Sequence, residues 1–301
     1  MLLSYARAAS TLVLLAWLCA ASAAAECNLV FPPSPIQMDS RYQYDWYVLR
    51  TALNKTTPQY GPCTMRPSTI PMGPARVTQE LATPAGRINI FVRATSLALE
   101  KQFLPIRIPV DKGLLGYRIF LVRSDDLERF SRVRDLQDLR PLRVGQGKDW
   151  ADVAVLRAAG ITVIEGANYE GLFGMLTAGR FDYFSRAVDE ALRELDEHRA
   201  SHPQLALEPG ILLHYPLPRY FFVRRDAEGT QLAQRILAGL EMMIRDGTLD
   251  QLFRRYKGKT IERANLLQRR LIQLRNPELS PETPLSRSEL WYDPWRAGAP
   301  R

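Results

Sequence analysis

The feature that most constrains this chain is an ordered alternation of strand and helix signals enclosed between two β-rich runs, Gly116–Arg123 and Arg219–Arg225. Between the runs, Leu142–Gly145 reads as a strand and Trp150–Ala159 as a helix, capped by Asp149 and stopped at Gly160. Ile161–Ile164 is a second strand. Asn168 caps a further helix that runs to Ala178 and ends at Gly179, and Phe181–Phe184 is a third strand. Strands and helices in this alternation imply a parallel sheet covered on both faces. The chain is expected to leave one lobe along the first run and return along the second. Two crossing strands make a hinge, and a cleft that closes by bending a few residues can engulf a small solute without covalent chemistry.

The flanking regions supply the other lobe. Leu29–Phe31 is a short strand ended by Pro32-Pro33, and Tyr44–Leu53 is a helix with Tyr44, Tyr47, Val48 and Ala52 on one face. A Pro/Gly-rich stretch precedes the strand Ile88–Val92. Beyond Arg225, Leu232, Ile236, Leu240 and Met243 form one apolar stripe that ends at Gly247. Leu249–Tyr256 and Ile261–Leu274 read as two more helices, the last stopping before Pro277. The Pro-rich remainder, with Trp291 and Trp295, reads as an extended strap packed on a lobe or as a loose tail. The expected fold class is α/β, with two doubly wound lobes joined by two hinge strands. Residues 26–117 and 224–276 form the first lobe, 118–223 the second, and 277–301 the strap or tail.

Residues 1–25 read as a secretory signal peptide. Arg7 is followed by an apolar run, Thr11–Ala20, too short to span a bilayer, and Ala23-Ala24-Ala25 supplies the small residues for cleavage before Glu26. Neither Cys19 nor Cys27 follows a small residue, as an acylated cysteine would require, and cleavage removes Cys19. Cys27 and Cys63 are then alone in an oxidising compartment, where a disulfide is their natural pairing and two free thiols the alternative. The net charge of +8 could suggest nucleic acid. Only six of the 40 basic residues are Lys, however, and no basic tract gathers them, so a nucleic-acid partner is not expected.

Several phrases, weak singly, occur in an order that resembles the periplasmic solute-binding proteins of amino-acid type ABC transporters, the extracellular solute-binding family 3. They are Phe31-Pro32-Pro33, Asp138-Leu139 leading into Leu142-Arg143-Val144-Gly145, Ala178-Gly179-Arg180-Phe181-Asp182, and Asp246-Gly247-Thr248-Leu249-Asp250-Gln251-Leu252-Phe253 with Tyr256. The resemblance covers Leu29–Tyr256 and implies the two-lobed periplasmic-binding-protein fold, a monomer, a small-molecule solute and a membrane permease or receptor as partner. It also implies an Arg on the first lobe for a ligand carboxylate and an Asp on the second for its ammonium. Here the chain departs: Glu100 and Lys101 stand at the first place, Arg186 and Ala187 at the second.

The candidate ligand-binding residues follow from position. Gln146, Gly147 and Lys148 lie between a strand and a helix N-terminus, where free N–H groups favour an anion, although the loop lacks the third glycine of a dinucleotide fingerprint. Arg186 follows a strand at the cleft edge, where a guanidinium would take a carboxylate or phosphate; the alternative is a structural pair with Asp189 or Glu190. Arg93 and Thr95 follow the first-lobe strand, and Tyr44, Trp150 and Tyr169 could give flat cleft walls or plain core. The expected solute is therefore polar or anionic, with no demand for an α-ammonium group.

Catalytic and metal constellations are thin. His198 and His202 sit one helical turn apart with no third ligand in phrase, and no nucleophile elbow or phosphate loop occurs. No cofactor, metal or catalytic residue is assigned, and the reading is of a binding protein. A lyase or dehydratase on the same fold, and a sensing module for a membrane receptor, are the alternatives.

Overall fold

The computed structural model describes residues 27–33 and 43–297. The signal peptide and its cleavage after Ala25 lie outside the described residues.

The first lobe begins with β1 (Cys27–Phe31), α1 (Gln43–Lys55), α2 (Thr57–Tyr60), β2 (Cys63–Pro67), α3 (Pro74–Ala82), β3 (Phe91–Ala94), α4 (Leu97–Gln102) and β4 (Leu104–Ile106). The second lobe follows with β5 (Tyr117–Arg123), α5 (Leu127–Ser131), α6 (Leu136–Leu139), β6 (Val144–Gly147), α7 (Asp152–Ala158), β7 (Val163–Gly166), α8 (Tyr169–Thr177), β8 (Tyr183–Ala187), α9 (Val188–His198), β9 (Leu205–Leu207) and β10 (Ile211–His214). The chain then returns through β11 (Arg219–Val223), α10 (Ala227–Arg245) and α11 (Thr248–Ala264), and ends with β12 (Arg270–Gln273) and α12 (Pro294–Ala297).

In the first lobe β11 lies between β3 and β4, antiparallel to both, while β1 pairs in parallel with β2. Asn89 sews these pieces together: its N–H donates to Val30 O at 3.0 Å, and its side-chain oxygen accepts from Val30 N at 2.9 Å. Helices α1 and α10 cover the sheet with Val48, Leu49 and Ala52 of one and Ile236, Leu240 and Met243 of the other, all buried. Their apolar residues recur at three- and four-residue intervals, which is why these segments are helices and why those faces turn inward.

The second lobe is a sheet in the order β12-β10-β5-β8-β6-β7, with β9 also on β5. The expected alternation is present: β6 pairs in parallel with both β7 and β8. The strand Tyr117–Arg123 is buried for six of its seven residues, since sheet neighbours and helices cover both faces.

The two β-rich runs do not form the crossing. Ile119–Leu121 pair with Phe184–Arg186 inside the second lobe, and Phe221–Val223 pair with Leu104–Ile106 inside the first. Each run is the first strand after a crossing, whose own segments are 107–116 and 215–218. Val110 N donates to Arg219 O at 3.0 Å, Tyr215 N to Gly116 O at 3.2 Å and Thr95 N to Pro218 O at 3.0 Å. The segments run so close that a Cβ on Gly116 would stand 2.1 Å from Tyr215 O, so only glycine fits. Backbone hydrogen bonding thus places the hinge in loops, outside the stretches of highest β-propensity. A second correction concerns residues 261–274, read as helix: α11 runs on to Ala264 and Arg270–Gln273 is a strand in parallel with β10. The segment assigned to the first lobe therefore ends on the edge of the second.

Cys27 and Cys63 stand opposite each other in the β1–β2 register and are joined as a disulfide. Replacing both by Ala should cost about 2–4 kcal/mol of unfolding free energy, the usual effect of closing a loop of this size; urea denaturation of the oxidised wild type and the variant measures it. His214, half-buried against the Tyr117 ring at 4.3 Å, has its pKa lowered to about 4 by burial, with Asp293 opposing weakly. Its folded pKa lies below the unfolded one, so its contribution is complete above the ordinary histidine value. It is lost as pH falls from about 6.5 to about 4, by up to ~3 kcal/mol. His214→Phe should flatten that limb of the stability–pH curve.

Candidate functional site

The C-terminal ends of β6 and β8 meet the start of the antiparallel β5, and this edge gathers polar groups that the surrounding core would otherwise exclude. Such an edge is the usual place for ligands in open α/β sheets. Gln146 is fully buried and donates from its amide nitrogen to Ser185 O at 3.1 Å. Arg118, also buried, makes an ion pair with Asp152 at 2.6 Å, while the Tyr215 hydroxyl donates to the same Asp152 oxygen at 2.5 Å. Burial opposes the charge on Arg118, yet Asp152 and Glu190 raise its pKa. Among the described residues, Gln146 Oε1, Ser185 Oγ and Arg118 Nε are buried without a hydrogen-bond partner. They leave donor and acceptor capacity at this edge.

A second group of charges gathers near the crossing, and one of its pairs, Lys257–Asp189, links the two lobes. Asp45, on the first turn of α1 and buried, pairs with Arg219 at 3.0 Å, and Lys257 on α11 reaches Asp189 on α9 at 2.5 Å. Asp111 in the crossing accepts from Gly113 N and Leu115 N, both at 3.1 Å. Burial pushes its pKa up to about 6 against the pull of Arg219, and Asp45 and Asp189 add to the rise. Asp189 is lowered, despite burial, by Lys257 and Arg219. Between α9 and α11 a groove of about 470 Å³, open to solvent, runs along Asp189, Arg193 and Lys259.

Of the candidate residues, the structure brings together Gln146, Gly147, Trp150, Tyr169 and Arg186. The Arg186 guanidinium lies over the rings of Trp150 at 4.6 Å and Tyr169 at 5.8 Å, and Gly147 sits so close beneath Trp150 that a Cβ would stand 2.2 Å from the indole. Arg186 does not offer itself to a ligand. It is 4% exposed and makes a two-pronged bond to the fully buried Glu194, at 2.7 Å on each side, with Glu190 at 3.1 Å. A guanidinium beside aromatic rings and already held by two carboxylates forms a structural ion pair, the alternative that the sequence left open with Glu190, here extended to Glu194.

The remaining candidates lie apart. Lys148 is exposed, with its N–H spent on Gly166 O, and the helix after it begins only at Asp152, whose carboxylate pairs with Arg118. Arg93 lies over the Phe91 ring and donates to Thr78 Oγ1 of α3 at 3.2 Å. Thr95 is buried and donates to Glu100 at 2.6 Å, and Glu100 also binds Arg107 at 2.7 Å. Tyr44 is buried in the first lobe, its hydroxyl donating to Val110 O at 2.9 Å. Sequence reasoning missed Asp45, Asp111, Arg118, Asp152 and Arg219. Asp111 and Arg118 could have been found by their place, charged residues inside an apolar stretch next to glycines.

Removing one partner of the Arg186–Glu194 pair should be far more costly than removing both. Arg186→Ala leaves Glu194 charged in the core and should lose about 3–5 kcal/mol, whereas Arg186→Met with Glu194→Leu should recover most of it. Denaturant unfolding of the three chains tests this, and a single variant as stable as wild type would contradict it.

No family model and no curated protein matches the chain. Solved structures do. An ancestral arginine-binding protein bound to arginine aligns with 76% of this chain and 97% of its own, at 18% identity and a TM-score of 0.54. A histidine kinase sensor domain similar to periplasmic binding proteins covers 78% and 96%, at 15% identity and a TM-score of 0.53. An ancestral amino acid-binding protein, a precursor of cyclohexadienyl dehydratase, covers 77% and 94%, at 14% identity and a TM-score of 0.52. Together with the sheets of the two lobes and the crossing between them, these likenesses give the chain the two-lobed α/β fold of the periplasmic amino-acid-binding proteins.

Proposed function

We propose that this chain is an exported, non-catalytic binding protein that captures a small polar solute between its lobes and delivers it to an ABC-type permease. The observation that carries the reading is a set of buried polar atoms that have no hydrogen-bond partner among the described residues: Gln146 Oε1, Ser185 Oγ and Arg118 Nε at the second-lobe edge, and Asp45 Oδ1 on the first lobe. Buried polar atoms without partners are costly, and a polar ligand that supplies partners offsets the cost. A fold with two lobes on short connections admits the motion that such capture needs.

The charge balance bears on the ligand. Each buried cation of the region already has a carboxylate: Arg118 has Asp152, Arg186 has Glu194, and Lys257 has Asp189. An anionic solute would have to displace one of these, so the solute is polar with hydrogen-bond donors rather than a plain anion. The likeness to a dehydratase precursor favours testing for turnover alongside binding, and the likeness to a sensor domain keeps a membrane receptor as an alternative partner.

The test is native mass spectrometry of protein purified from the periplasm, followed by thermal unfolding with amino acids, amides, polyols and dicarboxylates. A true ligand at a hundred times its Kd should stabilise the protein by about 2.7 kcal/mol. It should also be recovered chemically unchanged. A compound consumed on incubation would replace binding with catalysis, and stabilisation by dicarboxylates alone would restore the anionic reading.

A further inference from the structure

The chain beyond β12 does not hang from the second lobe. It turns back and ties itself to both segments on which lobe movement would depend. Leu274 N donates to His214 O at 2.8 Å, and the Asn276 side chain donates to Pro216 O at 2.9 Å, fastening the start of the segment to the return crossing. Its far end grips the outgoing crossing: Tyr292 N donates to Lys112 O at 2.7 Å, and the Tyr117 hydroxyl donates to Tyr292 O at 2.8 Å. Lys112 Nζ donates to Glu289 O at 2.8 Å and forms an ion pair with Asp250 of α11. Between these ends the segment is pinned to α10 of the first lobe by Arg287–Glu241 at 2.6 Å and to the start of the outgoing crossing by Arg107–Glu282 at 2.8 Å.

The contact with the crossing is steric as well as polar. Lys112 and Gly113 are both left-handed, with φ of 51° and 72°. A Cβ on Gly113 would stand 2.5 Å from Cε3 and 2.8 Å from Cζ3 of Trp291, so the indole packs directly against the backbone of this left-handed turn. Trp291 is held there by its own Nε1–H, which donates to Pro284 O at 2.9 Å, and by the fully buried Leu290 beside it. Hinge bending is a change of φ and ψ in a few residues, and here those residues have their hydrogen-bonding groups and one face covered by a single continuous segment.

We propose that Asn276–Tyr292 is a hinge lock: it holds the two lobes in one relation, and lobe opening requires its release from Lys112-Gly113 and Pro216. The lock acts on the empty protein and does not depend on the identity of any solute. Its release sets how far and how often the lobes separate.

The experiment measures lobe separation without ligand, by double electron–electron resonance between spin labels at Gln79→Cys on α3 and Ala158→Cys on α7. The full chain should give one narrow distance distribution. A chain ended after Arg275, which keeps β12, should give a distribution shifted to longer distances and broadened, and a synthetic peptide of residues 276–297 added in trans should narrow it again. Trp291→Ala in the full chain should shift it in the same direction, and this variant decides the matter if the shortened chain does not fold. Far-UV circular dichroism and cooperative unfolding establish that the lobes are intact. An unchanged distribution in the folded variants overturns the proposal, whatever solute the protein binds.

Discussion

The interaction on which the rest depends is the pairing of Arg219 with Asp45 at the point where the chain returns to the first lobe. Asp45 is fully buried, and burial raises its pKa despite the opposing pull of Arg219 and Lys257. The carbonyl of Arg219 accepts Val110 N from the outgoing segment, so one residue joins α1, β11 and the crossing. Its charge also helps keep Asp189 ionised on the other lobe, where Lys257 reaches it from α11. A buried charge that loses its partner costs several kcal/mol, so the lobes are positioned by a network in which each member is needed by the next.

The same logic separates stability from binding in the second lobe. Arg186, Glu190 and Glu194 satisfy one another beneath Trp150 and fix the orientation of α9 on its sheet. The neighbouring trio Gln146, Ser185 and Arg118 keeps unsatisfied atoms. Strand ends thus carry both kinds of polar group side by side, and their hydrogen-bond partners, rather than their residue types, tell them apart.

Much of the architecture was legible from the chain. The βαβ series from Leu142 to Phe184 declares itself through short apolar runs, Asn168 as a cap and Gly160 and Gly179 as stops, and these are local signals. The edge strand Arg270–Gln273 was not legible, because its partner β10 lies far away in sequence and its apolar residues also fit a helical period. The ion pair of Arg186 was legible only in part: Glu190 one turn on was in view as a partner, but Glu194 reaches it only because α9 sets both carboxylates on one face. The crossing itself was displaced by a few residues, since β-propensity marks strands and says nothing of where one sheet gives way to another.

The crossing is organised by buried charges shared between the lobes and not by either lobe alone. Native-state hydrogen exchange in low denaturant tests it most directly, at the amides of Thr95, Val110 and Tyr215, which bond across the crossing. These amides should open only with the core strands, with the same free energy and denaturant dependence as Phe120 and Phe222. Exchange through small local fluctuations, independent of denaturant while those core amides stay protected, would contradict it.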